Sequence, residues 1–255
     1  MKKDNLGDRM KAFEKVQLTT VDSNLPIIVR LDGKAFHTWV KVLGVKKPFD
    51  ETLSHLFQVA TVNTCKDIGQ VLMAYSQSDE VTFLLNGWQH LDSQVYFGGK
   101  VQKIVSVISS IFTGHFIWAL MGMNEYAILA DGEMKLPSFD ARVFNVPKDE
   151  VENVFIWRQM DAMKNSVQGL ARSVYSHKEL HGKSTLEMKN MCLIKAQNWD
   201  NLSTIQRIGF LVKKNEYILP NENGGNVIRT RWIIDNDIPF FVDESEYLTY
   251  IIEAE

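Results

Sequence analysis

The sequence predicts an α+β protein whose first half is a βαββαβ unit, and three observations carry that expectation. Residues 26–31, Pro-Ile-Ile-Val-Arg-Leu, are rich in β-formers and stop at Asp32-Gly33. Two apolar runs, residues 71–75 and 81–85, are separated by Ser76-Gln77-Ser78-Asp79-Glu80, a polar stretch of hairpin length. Helical patterns flank that hairpin on both sides. Asp50 can cap a helix through Leu53, Leu56, Phe57 and Ala60, and a second helix fits Lys100 to about Ile111. Residues 125–129 and 138–144 supply further strand material, which completes the order of a ferredoxin-like unit.

That order carries a geometric expectation. The third strand lies between the first and second, antiparallel to both, so the end of strand one meets the start of strand three. Asp32 and the pair Asp79-Glu80 then share one sheet edge.

Composition narrows the class. The 255 residues are 45% hydrophobic and 23% charged, which excludes a disordered or low-complexity chain. The net charge of −3 provides no global basic field, so any nucleic-acid contact needs a local patch. Between Arg158 and Lys214 ten basic residues stand against four acidic ones, a surplus of six. This stretch, with Trp157 and Trp199, reads either as a nucleic-acid-backbone contact or as a solvated helix surface with core tryptophans. Ser184-Thr185-Leu186-Glu187 reads as a capping box, and residues 227–234 as a strand.

Cys65 and Cys192 are too far apart for a metal-ligand spacing and read as buried thiols in a reducing compartment. The first residues lack the apolar core of a signal peptide. Residues 104–123 carry no Asp, Glu, Lys or Arg, yet their serines, threonine and histidine favour a long buried helix over a membrane span. A cytoplasmic protein with no membrane partner is expected.

Aspartates favour turns on their own account, because their side chains bond nearby amides. Three carboxylates converging on one edge are another matter, since like charges raise each other's pKa unless a cation sits among them. Hard oxygen ligands suit Mg²⁺. Two such ions would clamp the attacking and leaving oxygens of a phosphoryl displacement. Gly33-Lys34-Ala35-Phe36-His37 opens a possible phosphate loop through backbone amides, though it is no P-loop. Lys46-Lys47 and Lys100/Lys103 could add charge to a triphosphate or simply be solvated. His37, as a lone histidine, could simply satisfy a core hydrogen bond.

These residues resemble a known family. The segments Arg30-Leu31-Asp32-Gly33-Lys34-Ala35-Phe36-His37, Tyr75-Ser76-Gln77-Ser78-Asp79-Glu80, Phe139-Asp140-Ala141-Arg142 and Trp157-Arg158-Gln159-Met160-Asp161-Ala162 are similar to those of the tRNA-His guanylyltransferases. Leu6 to Lys11 and Leu180 to Thr185 fit the same pattern, in family order. The resemblance implies a polymerase-type palm domain over residues 1–148. A mixed α/β C-terminal region, 149–255, would serve RNA contact and oligomerisation in a homotetramer.

It further implies nucleotide addition to RNA 5′ ends, in the 3′–5′ direction, with two Mg²⁺ per site. ATP or GTP would activate the 5′ end, and nucleoside triphosphates would be added. Asp32, Asp79 and the Gly33 carbonyl fall at metal-ligand positions, and Glu80 matches a carboxylate important for activity. Residues Asp32, Gly33, Lys34, Ala35, Phe36 and His37, with Lys47, Ser78, Asp79, Lys100 and Lys103, match nucleotide binding. Arg142, Arg158, Asn165, Lys183, Lys189 and Asn190 match RNA contact at the tRNA 5′ end and acceptor stem.

Met163-Lys164-Asn165-Ser166 stands where the eukaryotic enzymes carry His-Ile-Asn-Asn. That departure resembles the bacterial and archaeal "like" members, which favour template-dependent repair of 5′-truncated tRNAs. Repair is therefore the leading expectation, and guanosine addition to tRNA-His the alternative. A palm-type nucleotide cyclase and a non-catalytic RNA-binding protein are the competing classes.

Overall fold

A computed structural model describes residues 6–86, 95–123, 136–220 and 225–253. Helix α1 (Leu6–Lys15) precedes strand β1 (Ile27–Gly33), helix α2 (Phe36–Leu43) and helix α3 (Glu51–Asp67). The hairpin β2 (Val71–Gln77) and β3 (Glu80–Leu85) leads to helix α4 (Val101–Met121) and strand β4 (Phe139–Asn145). The second half holds α5 (Val151–Val174), α6 (His177–Leu180), α7 (Thr185–Ile194) and α8 (Thr204–Ile208). Strands β5 (Phe210–Pro220) and β6 (Asn226–Asp235) and helix α9 (Glu246–Glu253) close the chain.

The fold is α+β with a palm-like sheet. Its order is β4-β1-β3-β2-β5-β6, and every neighbouring pair is antiparallel. The expected insertion of the third strand between the first two is therefore present. Strands β5 and β6 extend the same sheet beyond β2, through pairs such as Ser76 with Phe210. The 227–234 strand expectation matches β6, whereas the expected strand over 125–129 lies outside the described residues.

Alternation along the strands builds two cores. Ile27, Val29 and Leu31 face α3 and α4, where Phe36, Phe57, Phe112, Phe116 and Phe139 form one aromatic cluster. Ile28 and Leu84 face the other way, onto Phe155 of α5 and Leu248 of α9. A third cluster joins the second half of α5 to α7 through Val167, Leu170 and Cys192, with Trp199 filling it.

Local signals explain the element starts. The Asp50 carboxylate accepts from the Leu53 amide at 2.9 Å, capping α3 as expected. Ser184 and Glu187 form the reciprocal capping box of α7. Helix α4 runs to Met121, ten residues past the expected stop. Its apolar stripe (Ile104, Ile108, Phe112, Phe116, Leu120) is buried against the sheet, which sustains the helix through the serine-rich stretch. By length and composition alone α4 is long and apolar enough to cross a membrane, and a third of that window is buried inside the fold.

Candidate active site

The sheet face turned toward α5 is graded from apolar to charged. In β1 the residues on this face are Ile28, Arg30 and Asp32. Ile28 stands opposite Leu84 and Phe144, Arg30 opposite Thr82 and Arg142, and Asp32 opposite Glu80 and Asp140. Each strand thus contributes one apolar rung, one basic or polar rung and one acidic rung. The acidic rung lies at the hairpin end.

Asp79 reaches this end through the turn. Gln77 pairs with Glu80, so Ser78 and Asp79 form a two-residue loop, and Ser78 adopts φ 56 to close it. The Asp79 carbonyl accepts the Gly33 amide at 3.1 Å, fastening the hairpin tip to the end of β1. The Ser78 hydroxyl donates to the Asp79 carboxylate at 3.1 Å. Burial raises the Asp79 carboxyl above the usual carboxylate range. The charges of Asp32 and Glu80 push the same way, against the backbone amide and the Ser78 hydroxyl, which stabilise the ionised form.

Glu80 is held differently. Its carboxylate bonds the Arg158 guanidinium, which also donates to Asp161 at 3.1 Å. Arg158 was expected to meet RNA. It is instead 6% exposed, because α5 lies across the sheet and turns this residue inward onto Glu80. Its charge is therefore lost to the surface surplus of the second half.

The loop after Asp32, expected as a phosphate loop, is a strand-to-helix turn. Gly33 has no room for a side chain, since a Cβ would lie 2.7 Å from the Phe36 ring. The Lys34 amide donates to Ser138 at 2.9 Å, and Ala35, at φ 50, starts α2. Among the described residues the amides of Ala35, Phe36 and His37 have no acceptor, as is normal for a helix start. They lie at the positive end of α2, where anions are favoured. The His37 side chain is exposed and bonded to the Thr38 hydroxyl at 3.1 Å, so it satisfies no core group.

Other expected residues are dispersed. Lys47 is exposed just before α3. Lys100 and Lys103 sit at the far end of α4: the site end is marked by Phe116, whose ring lies 6.0 Å from that of Phe36. Thirteen helical residues separate Lys103 from Phe116, roughly 20 Å at 1.5 Å per residue. The structure therefore does not bring these two lysines to the carboxylates, a direction that helix-length arithmetic alone could not supply. Arg142 is exposed on β4, one rung from Asp140.

Lys183 pairs with Glu187 at 3.3 Å, and Lys189 lies 3.5 Å from the Trp199 ring centroid and 3.3 Å from Asp200. With exposed Asn190 they occupy α7 and its entry, packed on the distal half of α5. The two tryptophans part company: Trp199 is a core residue at 3% exposure, while Trp157 is 52% exposed.

A cleft of about 470 Å³ opens beside the hairpin. Asn165 lines it together with Ser78, Asp50, Gln58, Gln206 and Asn236. Gln206 and Asn236 were not anticipated, since they arrive from the far end of the sequence on the β5 side. Gly209 (φ 82) backs onto the Ser76 carbonyl there, and any side chain would collide with it.

Among the described residues no three His, Cys, Asp or Glu side chains converge as a ready metal cage. Glu80 is committed to Arg158, which leaves Asp32, Asp79 and the Gly33 carbonyl as hard oxygen donors. Two mutually repelling carboxylates beside a phosphate-friendly helix start suit a cation that keeps several waters, as Mg²⁺ does.

Acidic side chains on adjoining central strands of an antiparallel palm-like sheet, facing a strand-to-helix turn with free amides, define a palm-type nucleotidyltransferase. A family model described as tRNAHis guanylyltransferase matches residues 7–147, more than half of the sequence, and the chain belongs to that family. A bacterial tRNA(His) guanylyltransferase (Thg1)-like protein in complex with ATP superposes with a TM-score of 0.86 at 32% identity, covering 98% of this chain and all of that one. A complex of such a bacterial protein with GTP gives 0.81 at 31% identity, with the same coverage. The tRNA(His) guanylyltransferase of Schizosaccharomyces pombe is 31% identical over 160 residues, 61% of this chain and 58% of that protein.

Proposed function

We propose that this chain is a template-dependent 3′–5′ nucleotidyltransferase that restores the 5′ ends of truncated tRNAs. The observation that carries the reading is the meeting of Asp32, Gly33 and Asp79 at one sheet edge, in front of the α2 amides. Likeness to the bacterial proteins bound to ATP and GTP supports nucleotide use, and the Met163-Lys164-Asn165-Ser166 stretch supports repair over tRNA-His maturation.

Asp32, Asp79 and the Gly33 carbonyl would hold Mg²⁺, two ions per site on the family pattern. Bound there, the metal supplies neutralisation of phosphate charge and a more acidic attacking hydroxyl. The rest falls to the chain. The amides of Ala35, Phe36 and His37 receive phosphate oxygens, and Lys34 and Lys47 add positive charge at the rim. Arg158 fixes the Glu80 carboxylate so that it lends negative potential without swinging into the site. Arg142, Asn165 and the α7 lysines would orient the tRNA. The RNA 5′ phosphate first attacks the α-phosphate of ATP or GTP, forming a phosphoanhydride and releasing pyrophosphate. The 3′-hydroxyl of the incoming triphosphate then attacks the activated RNA phosphate, releasing the nucleoside monophosphate. A homotetramer in the cytoplasm completes the reading.

The test is Mg²⁺-dependent addition to a tRNA lacking its first 5′ residue, varying the base opposite the gap, with Asp79→Ala as control. Addition that follows the template and vanishes in the variant is the expected result. Guanosine added only to tRNA-His, whatever the template, would replace repair by the maturation activity named for the S. pombe relative. No addition even to a 5′-triphosphorylated RNA would favour a cyclase or an RNA-binding module.

A further inference from the structure

Trp157 stands out on the α5-facing side of the sheet. Large aromatic residues are usually well covered, yet this one is 52% exposed. It is nonetheless held. The Arg158 guanidinium carbon lies 4.6 Å from its ring centroid and that of Arg30 lies 5.6 Å away. Arg158 is anchored by Glu80 and Asp161, and Arg30 is fixed in β1, two residues from Asp32. At the rise of an extended strand that separation is about 7 Å.

The surroundings select a ligand chemistry. Arg142 is the cross-strand neighbour of Arg30, and the buried Nε of Arg30 has no hydrogen-bond partner. An exposed aromatic plate therefore stands against the Arg30 guanidinium, whose cross-strand neighbour is Arg142, one rung from the acidic edge. A purely apolar ligand would leave the guanidiniums unused, and an inorganic anion would leave the plate unused. A nucleotide uses both, its base stacking on the indole and its phosphate meeting Arg30 and exposed Arg142, since Arg158 is spent on Glu80 and Asp161.

We propose that the exposed indole of Trp157 is the stacking platform for the base of the RNA's 5′-terminal nucleotide, holding that end in line with the acidic rung. This deepens the proposed function and rests on it. The competing explanation is that Trp157 only shields the Arg158–Glu80 pair from water, and the competing source of a base is the free triphosphate.

The experiment compares wild type with Trp157→Phe and Trp157→Leu, the latter keeping apolar cover without a stacking plane. The probes are a 5′-monophosphorylated tRNA lacking its first residue and the same RNA with an abasic 5′-terminal nucleotide. Filter binding gives Kd, and steady-state addition gives KM for RNA and triphosphate separately. Leu is expected to weaken the intact RNA about tenfold, leave the abasic RNA unchanged and leave the triphosphate KM unchanged, while Phe retains most of the affinity.

Equal weakening of intact and abasic RNA, accompanied by a lowered Tm, would reduce Trp157 to a cover for the ion pair. A raised triphosphate KM with unaltered RNA binding would overturn the assignment to RNA. If the wild-type protein neither binds nor extends RNA, the proposed function falls and the platform with it. If it extends RNA but Trp157 and the terminal base are uncoupled, the platform alone falls.

Discussion

The Arg158 guanidinium and the Glu80 carboxylate bond each other across the interface between α5 and the β2–β3 hairpin. Arg158 is 7% exposed at its side chain and Glu80 28%. The pair therefore ties the second half of the chain to the turn that carries Asp79.

Removing the cation strands Glu80 and Asp161. Loss of one partner of a fully buried pair costs 3–5 kcal/mol, and the partial exposure of Glu80 lowers the expected cost of Arg158→Met to about 2 kcal/mol. Urea denaturation measures it. The double variant Arg158→Met/Glu80→Gln should recover part of the loss, and equal stability of the single and double variants would contradict the pairing.

Asp79 sets a pH dependence. Its folded-state pKa is raised, chiefly by burial and then by Asp32 and Glu80, so ionising it disfavours the folded state. This contribution to stability is present below the unfolded aspartate pKa and is lost as pH rises through the folded one. Without Mg²⁺, Asp79→Asn should flatten the fall in Tm above the ordinary aspartate range and leave the variant more stable than wild type at neutral pH. Added Mg²⁺ should raise the Tm of wild type more than that of Asp79→Asn. Parallel Tm curves for the two proteins would count against this account.

Gly33 is required by packing. In Gly33→Ala the new methyl meets the Phe36 ring, itself wedged among Trp39, Phe57, Phe116 and Phe139. Overpacking of this kind costs about 1–3 kcal/mol and shifts the start of α2. Denaturation should show the loss, with nucleotide addition falling at least tenfold. A variant as stable and active as wild type would show that the ring relaxes freely.

His37 is exposed beside the unpaired amides, so His37→Ala should change stability by less than about 0.5 kcal/mol, as exposed substitutions do. A several-fold or greater loss in addition rate, at unchanged Tm, is expected from the proposed binding of nucleotide at those amides. A fall in Tm matching the loss of rate would assign it a structural role instead.

Short-range patterns made much of this molecule legible. The strand and hairpin runs fixed which strands neighbour each other, and topology then brought Asp32 beside Glu80 across 48 residues, as their register confirms. The Asp50 cap and the Ser184 box were readable because capping is local. What escaped depends on direction and distance. Arg158 looks like any basic residue of a helix until the packing of α5 turns it inward. Lys100 and Lys103 start α4, and it is the packing of Phe116 on Phe36 that shows the opposite end of the helix to be the one beside the acidic edge. Gln206, Gly209 and Asn236 carry no motif, and only the pairing of β5 with β2 places them by the hairpin.

The seating of β5 against β2 also governs the order in which the molecule can be made. Until residue 213 has left the ribosome, the backbone of β2 from Met73 to Ser76 has one edge without its strand partner. An open strand edge invites pairing with other chains. The turn bearing Asp79 thus acquires its final support late in synthesis, and a nascent chain halted near residue 150 would present an adhesive sheet in place of a working centre.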